Sequence, residues 1–233
     1  MKKILIISLV LLTLTGCKTP NYGADKEVTG ASEIPSGTEF ITYNGYVVEV
    51  TEDNMLRIKV PKRGEVIQKG ITVNEEGIVK VALASVKLPT DNLPLSQETN
   101  EALKNLLLNK EVTLDSLKET AASAKGSPLN EIQGYIHLKD SEASIQEVLI
   151  ENGLAIVDKS TPFIKSNMSQ LENLQAAAQN NSIGVWAIDG FVNLNNSIGG
   201  QFTNIIDVNE EEIKSIIEDI KTKGLDLEKL IIK

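Results

Sequence analysis

Residues 46–50 and 56–60 carry β-branched side chains in clustered or alternating order, with Glu52-Asp53-Asn54 as a turn between them. Residues 71–73 and 78–83 continue the pattern, separated by Asn74-Glu75-Glu76-Gly77. Residues 111–114 and 135–138 read as two further strands. Helical signals come late. Ser96 opens an amphipathic helix with Ala102, Leu103, Leu106 and Leu107 on one face. Ser144 with Glu147 forms a capping box ahead of Val148 and Leu149, and Gly153 suits the C′ position of that helix. A third helix is expected over residues 169–179. Short strands followed by inserted helices predict an α+β fold on a small barrel.

Composition fits one principal domain of this kind. The 233 residues are 41% hydrophobic and 24% charged, which excludes a disordered, collagen-like or polytopic membrane chain. One cysteine excludes a disulfide framework and a cysteine-rich zinc site, and one histidine removes most imidazole-based metal and acid–base sites.

The single cysteine lies at position 17. Met1-Lys2-Lys3, an apolar run and small residues precede it, the pattern of an export signal too short to span a bilayer. Leu14-Thr15-Gly16-Cys17 resembles the bacterial lipobox. The resemblance implies diacylglyceryl transfer to the Cys17 sulfur, cleavage before it (residues 1–16 removed), and acylation of the new amino terminus. Several acyl chains anchor far better than one, since each buried methylene contributes about 0.8 kcal/mol. The expected location is therefore the exported face of a bacterial cell membrane. Loss of Lys2 and Lys3 takes the formal charge from −9 to −11. Residues 17–39 are rich in Gly, Pro, Ser and Thr and predict a flexible tether reaching about 25 Å.

The segments and their order resemble the staphylococcal nuclease-like (thermonuclease) family over residues 47–186, about 140 of the 233. Val81-Ala82-Leu83-Ala84-Ser85-Val86-Lys87-Leu88-Pro89-Thr90 is similar to the family's Val-Arg-Leu-x-x-Ile-Asp-Thr-Pro-Glu. Residues 101–112 match its helix-then-strand stretch. Leu149-Ile150-Glu151-Asn152-Gly153-Leu154-Ala155 is similar to Leu-Val-x-x-Gly-Leu-Ala, and Gly184-Val185-Trp186 to a terminal Gly-x-Trp. The resemblance implies a five-stranded OB-type β-barrel with three helices over residues 40–190, and the stretch 61–77, longer than the family places between its first strands, is expected to form an extra hairpin. Residues 191–202 then read as a linker. Residues 203–233 form a C-terminal helical extension whose Ile213, Ile216, Ile217 and Ile220 share one face. That face is expected to dock on its own barrel or to recruit a protein partner.

Members of the family cleave phosphodiesters with Ca²⁺ held by two Asp, a Glu positioning water and two Arg stabilising the transition state. Carried over by position, the first metal carboxylate falls on Asn54 and the first Arg on Ala82. The second metal carboxylate falls on Lys87, the water-positioning Glu on Thr90 and the second Arg on or next to Glu131. All five identities have changed, and two have reversed sign. A transition-state arginine alone is worth roughly 10³–10⁵ in rate, so the resemblance implies a fold without its chemistry, with no catalytic residue, no metal and no cofactor. The alternative is a lipid-anchored nuclease with a relocated Ca²⁺ site drawn from Glu52 and Asp91, with Arg57 and Lys80 supplying positive charge; Asp53, one residue out of phase, cannot simply take the place of Asn54.

Smaller features have plainer readings. His137, between Ile136 and Leu138, is expected to face outward, and Trp186 to anchor a core. Lys59, Lys62 and Arg63 form a solvated basic turn, near which Tyr43 and Tyr46 are placed to stack on a base. The family's nucleotide-facing tyrosines fall on Lys159 and Thr161, and a chain near −11 repels a polyanion, so nucleic acid is a disfavoured ligand.

Overall fold

The computed structural model describes residues 33–34, 40–68, 71, 73–90, 92–117, 131–161, 163–195, 198–203 and 209–223. Cys17 and Asp91 lie outside the described residues. In chain order the strands are β1 (Glu33–Ile34), β2 (Phe40–Val50), β3 (Leu56–Lys59), β4 (Ile78–Leu83) and β5 (Val86–Lys87). β6 (Glu111–Leu117), β7 (Glu131–Leu138), β8 (Ile156–Val157), β9 (Phe163–Ile164), β10 (Val192–Asn195) and β11 (Gly199–Phe202) follow. The α-helices are α1 (Arg63–Gln68), α2 (Ser96–Leu107), α3 (Ile145–Glu151), α4 (Lys165–Asn180) and α5 (Glu210–Lys223), with a 3₁₀ turn at Gly184–Ala187.

Five strands close into a barrel in the order β2-β3-β4-β7-β6. Every pairing is antiparallel except β4 with β7, which run parallel with Lys80 opposite Glu131 and Ala82 opposite Gln133. This is the five-stranded Greek-key barrel of the OB class. Alternation sends Leu56, Ile58, Val79, Val81, Val112, Leu114 and Ile136 into the core. In β2 the alternation breaks between Val47 and Glu49, where a bulge lets both Val47 and Val50 face inward.

Helix α2 buries Ala102, Leu103, Leu106 and Leu107 on the face read from the sequence. Helix α3 begins on the expected capping box, Ser144 Oγ accepting from the Glu147 amide at 3.2 Å and Glu147 Oε2 from the Ser144 amide at 2.8 Å. Gln146, fully buried on α3, reaches the barrel backbone. Its Nε2 donates to Gly134 O at 2.8 Å and its Oε1 accepts from the Ile136 amide at 3.2 Å. Truncation in Gln146→Ala leaves the Ile136 amide unpaired, while Gly134 O keeps the Ala84 amide at 3.0 Å, so urea denaturation is expected to show a loss of about 1–3 kcal/mol. A loss under 0.5 kcal/mol would mean that water replaces the amide.

Four expectations are corrected. Residues 61–77 hold helix α1 where an additional hairpin was expected, and Val66 and Ile71 turn into the barrel core. Residues 71 and 73 lie outside any strand: Ile71 is buried as a loop residue and not as part of a ladder. Residues 191–202, read as a linker, contain the antiparallel hairpin β10–β11, and the ring of Phe191, just before it, stands 5.0 Å from that of Phe202. Within the stretch read as a tether, Glu33–Ile34 pairs in parallel with Phe163–Ile164. Helix α5 packs its Ile216, Ile217 and Ile220 into a second core with Val185, Trp186, Ile188 and Phe191, so its apolar stripe is used within the chain.

Candidate functional site

The turn between β2 and β3 is built around Thr51. Its amide donates to Met55 O at 2.9 Å, its hydroxyl accepts from the Met55 amide at 3.0 Å, and the same hydroxyl bonds the Asp53 carboxylate. The turn needs one left-handed residue, and Asn54 supplies it with φ of 60°, a conformation asparagine tolerates better than most residues.

Asn54 is only 3% exposed, and its amide is bonded at both ends. Nδ2 donates to Pro89 O at 3.1 Å, and Oδ1 accepts from Asn100 Nδ2 at 2.9 Å. Asn100 also donates to Thr51 O at 2.7 Å. One side chain thus ties together the β2–β3 turn, the segment after β5 and helix α2. A carboxylate cannot make the same set, because it has no hydrogen to offer Pro89 O.

The other substituted positions are distributed around this clamp. Lys87 is exposed on β5, and Thr90 is half-buried beyond Pro89. Ala82 is half-buried on β4 opposite Gln133. Glu131 opens β7 and bonds Lys80 Nζ at 2.7 Å, with Asp53 Oδ2 at 3.7 Å on the other side of the same ammonium. The hydrogen bond to Glu131 raises the Lys80 pKa above the ordinary lysine value. The hydrogen bond from Thr51, with help from Lys80, lowers the Asp53 pKa. Arg57 is held by Glu49 at 3.0 Å. Both cations proposed to rescue catalysis are therefore engaged by carboxylates.

A folded-state lysine pKa above the unfolded value stabilises the fold fully below about pH 10.4 and loses that contribution as pH rises through the folded value. Wild-type chain is accordingly expected to show an alkaline fall in Tm that is smaller in Lys80→Met, measured by thermal melts between pH 8 and 12. Identical alkaline limbs would contradict the assignment.

An open groove of about 1040 Å³ runs beside the clamp, between the β2–β3 turn and the start of α2. Glu49, Glu52, Asp53 and Glu101 line it against one lysine, Lys104. Glu52 is exposed with no bonded partner among the described residues. Its wall is acidic and amide-rich, suited to cations and hydrogen-bonding groups and repellent to phosphate. Among the described residues no three His, Cys, Asp or Glu side chains gather as a metal would require.

The remaining sequence features fall as follows. His137 is half-buried on the outer face of β7 with Nε2 3.7 Å from Asp115 Oδ2. Trp186 is partly buried in the second core. Tyr43 is corrected: it points into the barrel at 7% exposure, and burial pushes its phenol pKa up, so it presents no stacking surface. Tyr46, by contrast, is 49% exposed. Lys62 pairs with Glu65 at 3.1 Å, and Lys159 is bonded to Glu172. Sequence reasoning missed the Asn54–Asn100 clamp, although an asparagine in a tight turn before a strand is a signal for a left-handed residue.

The barrel order and its flanking helices define an OB-fold protein with a polar groove at the β2–β3 turn. Residues 79–188 match the family model described as staphylococcal nuclease homologue. Among solved structures the chain is similar to the extended Tudor domain of Drosophila melanogaster Tudor-SN (p100), at 15% identity and a TM-score of 0.49, covering 63% of this chain and 99% of that one. No curated protein matches the chain. The chain carries a staphylococcal nuclease-like OB-fold domain.

Proposed function

We propose that this chain is a bacterial lipoprotein, anchored through Cys17, whose nuclease-like domain works at the exported face of the membrane as a non-catalytic binding module. The observation that carries the reading is Asn54. At the position where the family holds its metal with a carboxylate, this chain has a buried amide with both ends bonded. Lys87 at the second metal position and Glu131 at the second arginine position support it, because each carries the wrong sign for its family role. The acidic groove favours a cationic or hydrogen-bonding partner over a nucleic acid.

Fractionation tests the anchoring. Wild-type chain is expected in the membrane fraction, and Cys17→Ser in the soluble exported fraction. Equal partition of the two would sink it. An assay on single-stranded DNA with Ca²⁺ tests the catalytic half, with no cleavage expected. Metal-dependent cleavage that disappears in Glu52→Ala or Asp91→Ala would establish the relocated nuclease instead.

A further inference from the structure

Among the described residues, Tyr46, Val48, Ile67, Leu108 and Leu194 are the exposed large apolar side chains. Three of these five lie together. Tyr46 and Val48 stand on the outer face of β2, and the Val47 between them bonds the segment after α2, its amide donating to Lys110 O at 3.1 Å and its carbonyl accepting from the Asn109 amide at 2.9 Å. Leu108 adjoins that segment. Lys59 sits directly opposite Tyr46 on β3, and Lys110 follows Leu108 by two positions. Both lysines are exposed and have no ion-pair partner among the described residues. The acids bordering this face are engaged: Glu111, directly opposite Tyr46 on β6, by Lys139 at 2.7 Å, and Glu49, beside Val48, by Arg57 at 3.0 Å. A chain of formal charge −9 therefore has one face that is apolar and cationic.

We infer that this face rests on the anionic lipid bilayer to which the chain is tethered, with Tyr46, Val48 and Leu108 at the headgroup boundary and Lys59 and Lys110 against lipid phosphates. The inference rests on the anchoring reading above. Charge complementarity selects an anionic surface, and a tyrosine flanked by lysines suits the interfacial layer. Size selects a bilayer over a protein partner. Three side chains fall well short of the roughly 800 Å² per partner that a stable protein interface buries. A lipid tether, by contrast, holds the bilayer at high effective concentration, so a shallow contact suffices.

The test uses the full lipidated chain in vesicles. Its Cys17 sulfur is blocked by the thioether, so Val48→Cys accepts a polarity-sensitive fluorophore at one place, and Asn180→Cys, exposed at the end of α4, serves as the comparison. In phosphatidylglycerol vesicles containing brominated acyl chains, the probe at 48 is expected to shift blue and be quenched, while the probe at 180 is not. In pure phosphatidylcholine, or with Lys59→Glu and Lys110→Glu combined, the fraction in contact is expected to fall about tenfold. A chain that floats with phosphatidylglycerol vesicles while the probe at 48 stays in water would overturn the inference and leave the anchoring intact. Equal quenching at 48 and 180 would overturn it too. A chain that floats with neither kind of vesicle would sink the anchoring reading and this inference with it.

Discussion

An Asn54→Asp chain is expected to lose about 2–4 kcal/mol of stability and to gain no measurable Ca²⁺ affinity. The substitution restores the residue type that the family uses to hold its metal, so a vestigial site would respond with tighter metal binding. Here the side chain is 3% exposed and faces a carbonyl, Pro89 O, to which it donates at 3.1 Å. A carboxylate turns that donor contact into a repulsion between two acceptors and buries a charge with only Asn100 to offset it. The pH dependence supplies a second readout. Burial raises the introduced carboxyl above the ordinary aspartate value of about 3.9. The deficit against wild type should therefore be fully developed at neutral pH and shrink as pH falls through that raised value, where the protonated acid again has a hydrogen for Pro89 O. Denaturant midpoints measured at pH 4 and pH 7.5 check this directly. A variant as stable as wild type at pH 7.5 would show that the Pro89 contact does not require a donor, and one stabilised by millimolar Ca²⁺ would show that the site accommodates a metal.

Gly153→Ala is expected to cost about 3 kcal/mol or more and to lower the yield of folded chain. Gly153 and Gly184 adopt φ of 62° and 58° and pack back to back, with the Val185 amide donating to Gly153 O at 2.8 Å. A Cβ on Gly153 would run into the Ile183 carbonyl, and one on Gly184 into the Gly153 carbonyl. Neither obstacle is a flexible side chain. Backbone must move, and with it the contact between the end of α3 and the 3₁₀ turn that carries Val185 and Trp186. Gly190→Ala is the matched comparison, since its φ of 68° is also left-handed but nothing lies within 4 Å of its Cβ. It should cost only the conformational strain, about 1–2 kcal/mol. Equal losses in the two variants would show that strain, and not the backbone contact, sets the requirement at Gly153.

These two glycines show what the sequence made legible. Gly-Leu-Ala and Gly-x-Trp were recognisable as separate motifs 31 residues apart, and their mutual contact explains why both need glycine. The α2 stripe and the α3 capping box were readable because period and cap chemistry act locally. The stretch 61–77 was misread because Val66, Ile67 and Ile71 carry strand-like side chains, while the burial of Val66 and Ile71 in the barrel core decides their place. Residues 191–202 looked like a linker because Asn and Gly dominate. Yet Gly199 and Gly200 lie against β8, where side chains would collide with Val157 O and the Ile156 side chain. At the site, the changed identities were legible residue by residue. Their pairings were not. Lys80 with Glu131, and Asn100 with Asn54 and Thr51, join residues 46 to 51 positions apart along the chain, and Lys80 with Asp53 joins residues 27 apart, and no local pattern announces such partners.

We propose that Asn54, at the position where the resemblance places a metal carboxylate, is a bonded amide that grips no dication. Isothermal titration of the purified chain with Ca²⁺, run alongside an assay of single-stranded DNA cleavage in the same buffer, tests it most directly. The expected result is no binding heat above dilution up to millimolar Ca²⁺ and no cleavage. A saturable exothermic or endothermic isotherm with unit stoichiometry, accompanied by metal-dependent cleavage, would contradict it.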